Sequence, residues 1–284
     1  MRITNLATDL SPICSGGQFD LACWEKVLRA ENADLADLCL KDMNADVEAG
    51  MISFEGDVLP VLNAAFREEG ERARAIASFE EVTADLEERI LRCFGRPLEA
   101  DIILYPGLCN GAGWVTTLRG RDAILLGIEK IVELRWTGVD DMRGLIYHEL
   151  GHVYQSQYGV LEQECANDRQ RFLWQLFAEG VAMHFEQQLV GDGNYFHQDK
   201  DGWVDWCGAH LPQIKADFLA DLDTMQRENQ RWFGDWVSYE GRGDAGYYLG
   251  AKFVDFICRE RDFDDILALD AETVESLYLL FVQE

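Results

Sequence analysis

"LIYHELGHVYQ", residues Leu145–Gln155, sets two histidines and a glutamate among residues that otherwise read as the buried side of a helix. Ile146, Leu150 and Val153 carry the apolar spacing. At about 3.6 residues per turn, positions four apart stack on one face. His148 and His152 therefore point the same way, with Glu149 beside them. Asp140 is suited to cap the start of a helix holding "DMRGLIYHELGHVYQSQY", and Gly159 to stop it.

Working outward, the stretches "VLNAAFREEG" and "FEEVTADLEERILRCFG" repeat apolar residues at three- and four-residue steps, the second closing on Gly95 with Pro97 beyond. Residues from about Asp20 to Cys93 thus read as several helices. "DIILYPG", Asp101 to Gly107, is a β-rich run ended by Pro-Gly. "GWVTTLRGRDAILLGIE" follows as a hairpin with its turn near Arg119-Gly120-Arg121-Asp122. After Asp140 the pattern returns to helix almost to the end. The expected fold is α+β and mainly helical, with a small sheet just before the histidine helix. We expect one domain in two lobes: a helical region over about 1–95, sheet plus histidine helices over 96–190, and a helical C-terminal lobe over 191–284.

A chain of 284 residues can bury one substantial core. Its 25 Lys+Arg against 52 Asp+Glu give a net charge of −27, a surface that repels phosphate backbones and anionic lipid. Nucleic acid and membrane are not expected partners. Most of these carboxylates read as solvated helix faces. No apolar run approaches the roughly 18 residues that a spanning helix needs. The start, "MRITNLATDLSPICS", lacks the pattern of a signal peptide, and the eight cysteines form no C-x-x-C pair. Reduced, mostly buried thiols and a cytoplasmic location are the expectation.

Two imidazoles stacked on a helix can hold one Zn²⁺ through ring nitrogens at about 2.0–2.1 Å. A neighbouring carboxylate can then take a proton from zinc-bound water, whose pKa falls to about 7. His148-Glu149-x-x-His152 is the H-E-x-x-H pattern of zinc metallopeptidases. In a chain with five histidines, roughly one sequence in a hundred would carry that pattern by chance, so a third ligand is required. A metzincin would have Gly at 155 and His at 158, where this chain has Gln155 and Tyr158. Downstream, "RFLWQLFAEGVAMHFEQQLVG" is a second helical pattern with Glu179 at its centre. A mid-helix glycine costs about 1 kcal/mol relative to alanine. Gly151 and Gly180 would justify that cost by letting the two helix backbones approach, so that Glu179 reaches the metal. His184 is the rival ligand, but five residues rotate it to another side of the helix, which suits a supporting or core histidine. His197 and His210 read as surface or packing residues. The aromatics Trp203, Trp206, Trp232, Phe233 and Trp236 could line a cleft, though their irregular spacing suits core better.

"HELGH" followed by "EGVA" resembles the gluzincins, zinc peptidases whose third ligand is a glutamate on the next long helix. "AILLGIEKI" before the motif and "GYYLGAKFV" after it are similar to segments of uncharacterised bacterial zinc-dependent proteases, so that the likeness spans roughly residues 100–260. The resemblance implies a zincin-like core, Zn²⁺ held by His148, His152 and Glu179, and Glu149 as general base. It also picks Tyr247 as donor to the developing oxyanion. Packing of Tyr247 and Tyr248 between Gly246 and Gly250 is the equal alternative, with Tyr239 and His210 as substitutes for the donor. The chain departs from the pattern in the 26 residues between His152 and Glu179, and in Met183, where thermolysin-like members carry an aspartate. The function so implied is a zinc-dependent metallopeptidase, a hydrolase acting on a peptide or protein substrate. A non-catalytic zinc-binding scaffold, or a zinc hydrolase of a non-peptide amide or ester, is the alternative. The hairpin would offer a substrate an edge to pair with, and "CNGAGW" would form a rim beside it; an ordinary structural hairpin is the competing reading.

Overall fold

The computed structural model describes residues 1–15, 18–234 and 237–284, so Trp236 lies outside the described residues. By its internal contacts the chain divides into two compact units, Met1–Glu149 and Leu150–Glu284.

The first unit opens with strand β1 (Arg2–Asn5) and a short pair, β2 (Cys14–Ser15) and β3 (Gln18–Phe19). Four helices follow: α1 (Leu21–Glu48), α2 (Leu59–Arg67), α3 (Glu69–Thr83) and α4 (Leu86–Phe94). Asp20 caps α1 by accepting the Cys23 N–H. The helix breaks at Asn32 (φ −153°), whose side chain then caps the continuation through the Leu35 N–H. α4 ends on Gly95 in the left-handed region (φ 67°), as the sequence predicts. Next come β4 (Asp101–Tyr105), β5 (Gly113–Leu118), β6 (Arg121–Gly127) and α5 (Ile128–Glu133).

The sheet runs β1-β4-β6-β5, with β1, β4 and β6 parallel and β5 antiparallel to β6. β4 is buried along its whole length and β6 from Ala123 onward, which is why both read as apolar runs. The expected hairpin is present, its turn at Arg119 (φ 52°) and Gly120 (φ 74°). Two positive φ values give the twist that a two-residue connection needs. Arg119 also bridges back to Asp34 and Asn32 at the α1 break. β5 stands at the edge of the sheet, as does β1, a strand not foreseen because its four residues carry a single large apolar side chain.

Helix α6 (Val139–Tyr158) carries the histidine motif and runs unbroken through the division between units. It begins one residue before the expected cap, so Asp140 and Asp141 lie in its first turn, where carboxylates meet the positive end of the helix dipole. It ends before Gly159, as expected. A side chain at Gly159 would run into the Leu267 backbone, whose carbonyl accepts the Val160 N–H.

The second unit contains α7 (Asp168–Val190), α8 (Trp203–Asp221), α9 (Ala245–Ile257), α10 (Phe263–Ile266) and α11 (Ala271–Gln283). Asn167 caps α7 and Gly191 (φ 84°) closes it. Aromatics fill this core: Phe177, Phe185, Phe218, Trp232, Phe253 and Tyr278 are essentially inaccessible. Trp203 and Phe233 are buried too, which supports the core reading over the cleft reading. All eight cysteines are free, but only Cys39 and Cys207 are buried and Cys93 is exposed, so the expectation of mostly buried thiols is corrected. Among the described residues, no helix is long and apolar enough to cross a membrane. The chain is thus mainly helical with a small mixed sheet, an α+β architecture.

Candidate metal centre

His148 and His152 project from successive turns of α6, and Glu179 from the middle of α7. One ligand atom from each lies within 4.8 Å of the others. His152 Nε2 stands 3.4 Å from Glu179 Oε2. Two ligands bound to one tetrahedral zinc at about 2.0–2.2 Å are about 3.3–3.6 Å apart, so this edge already has the length such a site requires. Imidazole nitrogens with one carboxylate are also a donor set that suits Zn²⁺. The residues present fit the metal. His148 is buried, while His152 and Glu179 keep some access to solvent.

The approach of α6 to α7 follows from Gly151. A Cβ there would stand 2.6 Å from the Ala182 Cα, closer than real side chains come, so only glycine lets the backbones meet at this point. Ala182 lies one turn beyond Glu179 on α7, and the close crossing brings that carboxylate to His152. Gly180 does not share this role, and the expectation that it pairs with Gly151 is corrected. Its missing Cβ faces the Gly250 carbonyl of α9 at 2.2 Å. Gly250 in turn faces the Leu176 carbonyl at 2.6 Å. Gly151 thus serves the α6–α7 contact, and Gly180 with Gly250 the α7–α9 contact.

Glu149 is buried beside the histidines on α6. Within the first unit, the edge strand β5 lies against it: a Cβ on Gly113 would stand 3.0 Å from Glu149 Oε1. The carboxylate therefore borders a half-buried main-chain edge.

Tyr247 occupies the first helical turn of α9, three residues before Gly250. Its ring meets Phe233 edge-on with centroids 5.9 Å apart, and it lines an open cavity with Arg171, Phe172 and Gln175. Gln175 precedes Glu179 by one turn of α7. Tyr248 is buried and packs on Phe196 and Trp203. Tyr239 is fully buried and donates to Asp217 at 2.7 Å; burial first, then that bond, raise its pKa. His210 bonds the Trp206 carbonyl and stacks on its ring. Neither belongs to the ligand cluster. His184, the rival ligand, is engaged by Asp255 at 3.3 Å and by Gln188, which makes it a satisfied histidine of the α7–α9 contact.

Two buried acids were not foreseen. Glu186, seven residues after Glu179 on α7, is fully buried and bonds His197 Nδ1 at 2.9 Å, so of the two readings of His197, packing is the one that holds. Glu129, at the start of α5, is also fully buried and accepts the N–H groups of Gly107 (2.8 Å) and Cys109 (3.1 Å). Burial pushes its carboxyl up to about 7, against the pull of those N–H groups. In the sequence each acid interrupts an apolar pattern, the signal that would have found it. Comparison of the chain with family models, curated proteins and solved structures gives no match.

Proposed function

We propose that the protein is a zinc-dependent metallopeptidase of gluzincin type with a zincin-like core. The observation that carries this reading is the convergence of His148, His152 and Glu179, with Glu149 beside them on α6. When bound, Zn²⁺ supplies Lewis acidity, which acidifies water and polarises a carbonyl. His148 and His152 would present neutral imidazole nitrogens, and Glu179 a carboxylate oxygen. Glu149 would accept a proton at its carboxylate from the attacking water and return it to the leaving amine. The edge of β5 next to Glu149 would hold an extended peptide by main-chain hydrogen bonds. Tyr247 would donate to the developing oxyanion.

Loss of one ligand tests the cage. Altering residues that merely support metal ligands weakens binding by about 10- to 100-fold, and a direct ligand matters at least as much. Glu179→Ala is expected to weaken zinc affinity by more than about 100-fold, with peptide hydrolysis lost at equal zinc. Competition with a chromogenic chelator measures the affinity. An unchanged affinity in Glu179→Ala would exclude this carboxylate as a ligand.

A further inference from the structure

We propose that Glu129 is a positioning residue, the buried carboxylate that holds the segment 107–112, and with it the start of β5, against Glu149. The inference deepens the peptidase reading, on which the importance of Glu149 rests. Every link lies within the first unit. Glu129 Oε2 accepts from Gly107 and Oε1 from Cys109, fixing two points of the segment that leaves β4. The seat is shaped for this contact. A Cβ on Gly107 would stand 2.4 Å from Glu129 Oε1, and one on Gly127 would stand 2.5 Å from the Gly111 carbonyl. The Gly127 N–H donates to the Ala112 carbonyl at 3.1 Å. Asn110 ties the segment to α1 through the Cys39 carbonyl and Asp42. The next residue is Gly113, against Glu149.

A carboxylate is a costly way to satisfy two backbone N–H groups inside a protein, because its charge is stripped of water. The groups facing it do little to compensate. Lys130 draws the pKa down but pairs with Glu133, and Cys39, Tyr105 and Cys109 offer no cation. The ionised form accepts at both oxygens; protonation turns one of them into a donor. Both bonds therefore hold above about pH 7 and one weakens below it. The linkage has a defined sign. A carboxyl raised from its ordinary value near 4.5 to about 7 lowers stability as pH climbs through that window, and the loss persists above it.

The test is amide hydrogen exchange of residues 107–113 between pH 5.5 and 8.5, expressed as protection factors, in wild type and Glu129→Gln. Glutamine keeps the shape but offers one acceptor. Opening of the segment alone leaves Glu129 buried and removes the two N–H groups that draw its pKa down, so ionisation favours the closed segment and we expect wild-type protection to rise several-fold across pH 7. In Glu129→Gln it should be about tenfold lower at pH 8, with no step. Zinc content should be unchanged, kcat/KM for a peptide should fall about tenfold at pH 8, and the Tm difference between variant and wild type should grow with pH from 4.5 to 7. If the variant does not fold, the wild-type pH series decides. Protection without a pH step, equal in both proteins, would overturn the proposal. A zinc-loaded wild type that shows the step but cleaves no peptide would leave the clamp standing and remove the peptidase reading.

Discussion

Glu149→Gln is expected to lower kcat/KM for peptide hydrolysis by roughly a thousandfold while one zinc remains bound. A positioned general base contributes about 10²- to 10⁴-fold, and a thousandfold corresponds to about 4 kcal/mol of transition-state stabilisation. Glutamine has the shape of glutamate, so the close approach of residue 149 to Gly113 persists. It cannot take a proton at neutral pH, so the loss should fall on kcat more than on KM. Zinc content by elemental analysis, read beside the kinetics, separates the outcomes. Retained zinc with lost hydrolysis identifies the base. A zinc-loaded wild type that cleaves nothing in a broad peptide library would instead mark a binding scaffold. Cleavage of simple esters or amides alone would shift the substrate class and leave the site intact.

The second large effect is on stability. Gly180→Ala should lower the Tm by roughly 5 °C or more, although alanine favours helix by about 1 kcal/mol. The new Cβ would meet the Gly250 carbonyl oxygen at 2.2 Å and its carbon at 2.5 Å, and backbone on a packed helix cannot step aside cheaply. Overpacking of this kind costs about 1–3 kcal/mol. Gly250→Ala should act the same way against the Leu176 carbonyl, 2.6 Å from its Cβ. The pair should be less than additive, since one shift of α9 relieves both. Gly193, whose added Cβ would meet no atom within 4 Å, is the control and should change Tm little. Because α7 carries Glu179, Gly180→Ala should weaken zinc binding as well. A Tm at or above wild type would contradict the packing account.

The elements legible in the sequence are those whose local chemistry agrees with their tertiary setting. The β5–β6 hairpin announces itself by alternation and an Arg-Gly turn, β4 by an apolar run before proline, and α4 by its closing glycine. The i, i+4 histidines needed only helix geometry. Features set by long-range packing were harder to read. β1 pairs with β4 across nearly a hundred residues, and a four-residue polar edge strand carries no periodic signature. The sequence marks Gly180 as a contact glycine but points to α6 where the contact is with α9, because spacing along one helix does not say which neighbour a bare backbone faces. Glu129 and Glu186 were passed over among many acids, most of which are solvated. Their interruption of an apolar pattern is a weak mark in the sequence, and burial in the folded chain is the strong one.

Crystals of the zinc-loaded protein, measured on both sides of the zinc absorption edge, test the central claim most directly. The account predicts one anomalous peak per chain, with a ring nitrogen of His148, one of His152 and a carboxylate oxygen of Glu179 each within about 2.0–2.2 Å. A peak surrounded by other side chains, or none in a protein shown to be loaded, would contradict it.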